Sequence, residues 1–149
     1  MEKPKAIICD LDGTLCDSSW RKHFVEGEQK NWKAFYAGIS ADPPRYDVLR
    51  LLLKEWSERG AAVVFVTGRS DEHKGATAEW IIRQLPAFRS AGMLWMRDAG
   101  DHRPDVEVKR ELIWDVMKNY DVVLAFEDRP HIVEMIREMG IECVDVGEK

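Results

Sequence analysis

The stretch Ile8-Cys9-Asp10-Leu11-Asp12-Gly13-Thr14-Leu15-Cys16-Asp17, ICDLDGTLCD, joins the end of an apolar run to two carboxylates one residue apart. A small residue and a hydroxyl residue then follow. The preceding AIICDL (6–11) is a short continuous apolar run, the pattern of a strand buried on both faces rather than one with a wet side. Two acids at the end of such a strand need compensation, because burying an unpaired carboxylate costs several kcal/mol. The rest of the chain therefore has to supply a cation, hydrogen-bond donors or both.

Similar runs recur at AVVFVT (62–67), MLWM (93–96), VVLAFED (122–128) and ECVDV (142–146). Between them, helical spacing covers 45–59, 71–85, 105–119 and 130–139, with Gly60 and Gly140 just past the ends of the first and last, where a left-handed cap is favoured. Strands alternating with helices of this length predict right-handed crossovers and an open α/β fold, a Rossmann-like parallel sheet sandwiched by helices. Residues 17–44 have no place in that alternation. They hold a short helical piece, NWKAFYAG, and the turn ADPP, and read as a small cap insertion within one domain spanning 1–149.

Composition agrees with this reading. A chain of 149 residues, 45% hydrophobic and 33% charged, has the size and balance of one soluble domain. No apolar run approaches the roughly 20 residues of a membrane span, and MEKPKAII carries no signal-peptide pattern, so a cytoplasmic protein with no membrane partner is expected. The cysteines, Cys9, Cys16 and Cys143, are odd in number and lack metal-ligand spacing, which predicts reduced, structural thiols. A net charge of -5 argues against a broad basic surface that grips duplex nucleic acid, and limits any such contact to a local cluster of arginines.

Polar residues collect at three of the expected strand ends: Asp10 and Asp12, Thr67-Gly68-Arg69, and Glu127-Asp128-Arg129. In open α/β sheets ligands gather at the carboxyl ends of the strands, so these groups should converge. Carboxylates from two strands offer oxygen ligands for a hard cation such as Mg²⁺, with Asp10, Asp12, Asp128 and Glu127 as candidates, while the basic groups suit an anion. A carboxylate facing a phosphoryl group can act as nucleophile, and an acid two residues on can protonate the leaving oxygen.

The motif DLDGT, Thr67, Lys109 and the pair Glu127-Asp128 together resemble the four motifs of the haloacid dehalogenase superfamily across almost the whole chain. The stretch RDAGDHRPDVEVKREL (97–112), with TGR (67–69), Arg21 and EDRPHIVEMIREMGIECVDV, is similar to the 3'-phosphatase domain of bacteriophage polynucleotide kinase/phosphatase. The resemblance implies a Mg²⁺-dependent phosphomonoesterase with an aspartyl-phosphate intermediate, acting on a phosphorylated nucleic-acid end. It makes Asp10 the nucleophile and Asp12 the general acid and base, and gives Asp128, Asp10 and the Asp12 carbonyl to the metal. Lys109 becomes a partner of the phosphate. Arg21, Arg69, Arg97, Asp105 and Arg129 take roles in phosphate contact, substrate placement or orientation of other site residues. Glu127 stands where an aspartate is common, which leaves direct or water-mediated ligation open. No kinase P-loop, G-x-x-x-x-G-K-[ST], occurs in these 149 residues.

Rival readings exist at several positions. A phosphatase for nucleotides or other small phosphoesters would use the same basic groups, and a metal- and phosphate-binding module would need neither acid for chemistry. D-x-D-G also occurs as a plain turn. Trp56, Trp80, Trp95 and Trp114 lie in regular elements and read as core; Trp20 and Trp32, in the insertion, could stack on bases. His23, His73, His102 and His131 show no ligand spacing and read as surface or supporting residues.

Overall fold

A computed structural model describes residues 2–88 and 93–148; residues 1, 89–92 and 149 of the domain read from the sequence lie outside the described residues. Five strands, β1 (Lys5–Cys9), β2 (Ala62–Ser70), β3 (Leu94–Arg97), β4 (Asp121–Glu127) and β5 (Cys143–Asp145), form one parallel sheet in the order β3-β2-β1-β4-β5. Five helices accompany them: α1 (Trp32–Ala37), α2 (Tyr46–Arg59), α3 (Lys74–Gln84), α4 (Asp105–Met117) and α5 (Pro130–Glu138). This is the α/β Rossmann-like fold expected from the alternation of runs.

Side chains alternate across the pleat and both faces are covered, which is why the central strand is apolar from Ala6 to Cys9. Ile7 and Cys9 pack with Leu52 of α2 and with Trp80 and Ile81 of α3. Ala6 and Ile8 pack on the other face with Ile113 and Val116 of α4 and with Ile132, Val133 and Ile136 of α5. Each such fully buried aliphatic side chain contributes about 1.5–3 kcal/mol by leaving water. In α2 the chain stops at Gly60, whose φ of 62° is the left-handed conformation that lets its N–H reach the Trp56 carbonyl.

The strand order positions the site. From β1 the chain moves outward to β2 and β3, then α4 carries it back across the sheet to β4 on the other side of β1. The order therefore reverses between β1 and β4, the place where such sheets open a crevice at their carboxyl ends. Cys9 pairs with Phe126 in register, and the Asp10 N–H donates to the Phe126 carbonyl at 3.1 Å. The acids that follow the two strands are thus neighbours.

Several details depart from the sequence reading. β1 ends at Cys9, because the N–H groups of Thr14, Leu15 and Cys16 all turn back to the Leu11 carbonyl and close a tight loop. β2 runs on to Ser70, with its pairing to β3 irregular between Thr67 and Ser70. Among the tryptophans read as core, Trp80 is buried, Trp56 and Trp95 are half-buried, and Trp114 is 53% exposed. Its position on α4 faces away from the sheet, which helical periodicity alone did not reveal in so apolar a helix. The insertion folds as a 3-10 segment (Ser19–Val25), α1 and a second 3-10 turn (Ile39–Ala41). Its two ends meet where the Asp17 N–H donates to the Pro43 carbonyl at 2.9 Å. Among the described residues no helix is long and apolar enough to cross a membrane.

Candidate active site

Asp10, Glu127 and Asp128 stand together at the β1/β4 crevice, with carboxylate oxygens within 4.8 Å of one another. Lys109 enters from α4, one turn after Asp105 and on the helix's buried side with Val108 and Ile113. Its Nζ donates to Asp10 Oδ1 and to Glu127 Oε2, both at 2.9 Å. The Thr14 hydroxyl lies between the other two acids, 3.2 Å from Asp10 Oδ2 and 2.9 Å from Asp128 Oδ1. Asp128 approaches the β1 loop closely: Gly13 has φ 79°, and a Cβ there would strike the Asp128 carboxylate. Glycine at 13 thus serves both the loop conformation and this contact.

The charges in this cluster do not balance, since three carboxylates face one ammonium. Burial pushes the Asp10 carboxyl well above its usual range and the Glu127 charge adds to this, against the opposing pull of Lys109. Burial would lower the Lys109 ammonium, but Asp10 and Glu127 hold it above its ordinary value. The surplus negative charge and all-oxygen donor set fit a divalent hard cation such as Mg²⁺. Both Glu127 oxygens already accept, one from Lys109 and one from the Arg129 N–H at 3.3 Å, so Glu127 positions the lysine.

Asp12 faces the opposite way, toward the insertion. Arg69 grips it with two donors, Nε to Oδ2 at 2.9 Å and Nη2 to Oδ1 at 2.7 Å, and its Nη1 is braced by Thr77 at 3.2 Å. Burial would raise the Asp12 carboxyl, but the Arg69 hydrogen bonds and charge, with Arg21 beyond, outweigh it and hold Asp12 below its ordinary value. Its side chain keeps 39% exposure, so it remains reachable from solvent.

Of the roles expected of Arg21, its contacts fit orientation of other site residues. It is 1% exposed, donates through Nε and Nη2 to Asp42 at 2.8 Å each and through Nη1 to the Phe35 carbonyl at 2.9 Å, and reaches Asp12 at 3.5 Å. It holds the insertion to the catalytic loop. Trp20 joins the same brace through its Nε1, 2.8 Å from Asp42. Arg97 is likewise occupied: Nε donates to the Gly68 carbonyl at 2.8 Å, Nη1 to the carbonyls of Asp101 and Arg103, and Nη2 to Asp105. Arg129 pairs with the second Asp105 oxygen. Asp105 in turn rests against Gly68, where any Cβ would collide with its carboxylate. Thr67 is buried, and its hydroxyl accepts from the Arg69 N–H at 3.2 Å.

The structure thus brings Asp10, Asp12, Thr67, Gly68, Arg69, Lys109, Asp105, Glu127, Asp128 and Arg129 to one end of the sheet, with Arg21 and Arg97 behind them. Sequence reasoning missed Asp42, which looked like the acid of an ordinary Asp-Pro turn, and Thr14 as the bridge between two acids. It also missed Arg45, whose Nη1 ties the Gly13 carbonyl to that of Val146.

A parallel sheet in this order with an aspartate after its first strand, a lysine from a later helix and an acid pair after the fourth strand defines a phosphatase of the haloacid dehalogenase fold. Residues 4–149 match the family described as Polynucleotide kinase PNKP phosphatase domain, and the chain belongs to that family. It is 28% identical over 142 residues to a protein of Autographa californica nuclear polyhedrosis virus that carries the name bifunctional polynucleotide kinase/RNA ligase, covering 95% of this chain and 19% of the relative. The solved Pnkp1/Rnl/Hen1 RNA repair complex contains a chain similar at TM-score 0.75 and 27% identity, over 97% of this chain and 43% of that one. A Class C acid phosphatase from Bacillus anthracis shares the fold at TM-score 0.68 and 19% identity, over 99% of this chain and 67% of that one. The chain therefore spans about a fifth of the viral relative and under half of the repair-complex chain.

Proposed function

We propose that this domain is a Mg²⁺-dependent polynucleotide 3'-phosphatase of nucleic-acid end repair, working through an acyl phosphate on Asp10. The observation that carries this reading is the split of the two D-x-D acids: Asp10 lies with Lys109, Thr14 and Asp128, while Asp12, two residues on, turns to Arg69. An Asp10 oxygen attacks phosphorus as the P–O bond to the sugar breaks, and Asp12 gives its proton to the departing hydroxyl. Asp12 then takes a proton from the water that cleaves the acyl phosphate and frees inorganic phosphate. Mg²⁺ held by Asp10 and Asp128 would offset the repulsion between the carboxylate nucleophile and the phosphate dianion.

Arg69 gives this sequence its order. While it grips Asp12 bidentately, Asp12 is ionised and cannot act as an acid. A phosphate dianion arriving at the strand ends competes for the same guanidinium, and loss of that grip lets Asp12 take up a proton. Lys109 neutralises Asp10 through Oδ1 and leaves Oδ2, which accepts from the Thr14 hydroxyl, for the attack.

The test is a comparison of kcat/KM on a 3'-phosphorylated oligonucleotide, its 5'-phosphorylated counterpart, a mononucleotide and an aryl phosphate. Preference for the first supports the proposal; preference for the mononucleotide replaces it with a small-phosphoester phosphatase. Excess chelator should abolish turnover, and undiminished activity under chelation would remove the metal from the reading. A folded, Mg²⁺-replete protein that hydrolyses no phosphoester would be a binding module instead.

A further inference from the structure

Helix α1 of the insertion turns its aromatic side chains toward the segment that follows β2. Trp32 and Tyr36, one helical turn apart, lie stacked with centroids 5.9 Å apart and planes at 23°. Tyr36 lies in turn on the His73 imidazole at 3.8 Å and 16°. Phe35 meets Trp32 and Tyr36 edge-on. Trp32 nevertheless keeps 48% of its surface in solvent. Trp32, Tyr36 and His73 line a cavity of about 910 Å³ whose opposite side is the loop from Arg97 to Arg103 and which reaches Gly68 beside the catalytic residues. That volume suits a small organic group, for which sites run about 300–1,000 Å³.

Resting on the 3'-phosphatase reading, we propose that this cavity receives the unpaired nucleobase of the nucleotide bearing the 3'-phosphate, stacked on Trp32 with Tyr36 and His73 behind it. The lining argues for a neutral planar group and against a track for the phosphate backbone. Of its three cations, Arg97 is committed to the Gly68, Asp101 and Arg103 carbonyls and Asp105, and Arg103 to Asp101 and Glu111, which leaves the exposed Lys33 beside them. Its other charged residues include the acids Glu72, Asp98 and Asp101, which repel a polyanion. Stacking on an aromatic face accepts any base. A base inside a duplex has both faces covered by its neighbours, so only a single-stranded or frayed end can use the cavity.

The experiment measures kcat/KM, with Mg²⁺ present, on a single strand ending in a 3'-phosphate, on the same strand lacking only its terminal base, and on an aryl phosphate. The wild-type protein should favour the base-bearing strand over the abasic one by tenfold or more. In Trp32→Ala that ratio should fall to within threefold of one, while Trp32→Phe, which keeps a planar ring, should retain most of it. Equal wild-type rates on base-bearing and abasic strands overturn the base site and leave the 3'-phosphatase reading standing. An unchanged ratio in Trp32→Ala also overturns the site. No hydrolysis of either strand by a preparation active on the aryl phosphate removes that reading and this proposal with it.

Discussion

At the scale of single residues, the site separates two aspartates that differ only in their neighbours. Asp10 is buried beside an ammonium and two further acids; Asp12 is half-buried in the fork of a guanidinium. Asp10→Asn should therefore stop formation of a base-labile phosphoenzyme and reduce kcat by about a thousandfold or more, read by trapping labelled phosphate on the protein. Asp12→Asn should keep phosphoenzyme formation from an aryl phosphate, whose leaving group needs no proton, and lose far more on a sugar phosphate. A label mapping to any residue but Asp10 would reassign the nucleophile. The two acids also pull stability in opposite directions with pH. The native Asp12 pKa lies below its unfolded value near 3.9, so its ion pair stabilises the fold above that value, and this contribution is lost as pH falls through the native pKa. The raised Asp10 pKa has the reverse sign, its ionised form costing stability until acidification protonates it. Comparing Arg69→Gln with the wild type isolates the Asp12 contribution: acid unfolding of the variant should begin at higher pH, as followed by far-ultraviolet circular dichroism. Coincident acid transitions would mean that Arg69 does not hold Asp12 ionised.

At the scale of elements, the buried Arg21–Asp42 pair ties the first turn of the insertion to its last residues, and the insertion meets the rest of the fold where Arg21 reaches Asp12 at 3.5 Å and Trp80 Nε1 donates to the Asp42 carbonyl at 2.9 Å. Arg21→Met removes one partner of that pair. Breaking such a pair costs about 3–5 kcal/mol, and the lower end applies because Trp20 Nε1 and, at 3.6 Å, Arg69 still face Asp42. In a domain of 149 residues each kcal/mol moves Tm by about 2–4 °C, so calorimetry should show a fall of about 6–12 °C. Activity should drop on oligonucleotide and aryl phosphate alike, because Arg21 acts through Asp12 and the cap; a loss confined to the oligonucleotide would restore Arg21 to the substrate. The strands and long helices were legible because a parallel sheet covered on both faces writes itself as unbroken apolar runs separated by helical periods. The strand-end acids were legible for the complementary reason that charge after such a run has no structural use. Asp42, Tyr36 and His73 were not, since each has an ordinary local explanation and gains its further meaning from a distant partner, Asp42 from Arg21 and Tyr36 and His73 from each other. For Arg21 and Arg97 the sequence left substrate contact and orientation of other residues both open, because it shows a cation without showing the carbonyls and carboxylates that already occupy it.

At the scale of the whole molecule, the sign of the charge limits how a polynucleotide can be held. The protein carries a formal charge of -5, and the arginines near the site are paired with Asp12, Asp42 and Asp105. An extended chain of phosphates therefore meets no free arginine among these beyond the reacting group, and Lys33 is the cation left on the cavity lining. Each phosphate neutralised on a single strand contributes about -0.7 to the slope of log affinity against log salt. One or two contacts predict a slope between about -0.7 and -1.4, whereas a basic track with six contacts would give about -4. The measurement is kcat/KM for a 3'-phosphorylated oligonucleotide from low to moderate KCl at fixed Mg²⁺, with aryl phosphate as the reference for general salt effects. A shallow slope that stays the same when the strand is lengthened from three to fifteen nucleotides is the expected result. It would mean that the domain recognises an end, holding the terminal phosphate and its nearest nucleoside while the remaining strand stays in solvent. A slope that steepens with every added nucleotide would instead require a cationic path along the surface, and the charge distribution of this fold would have been misread.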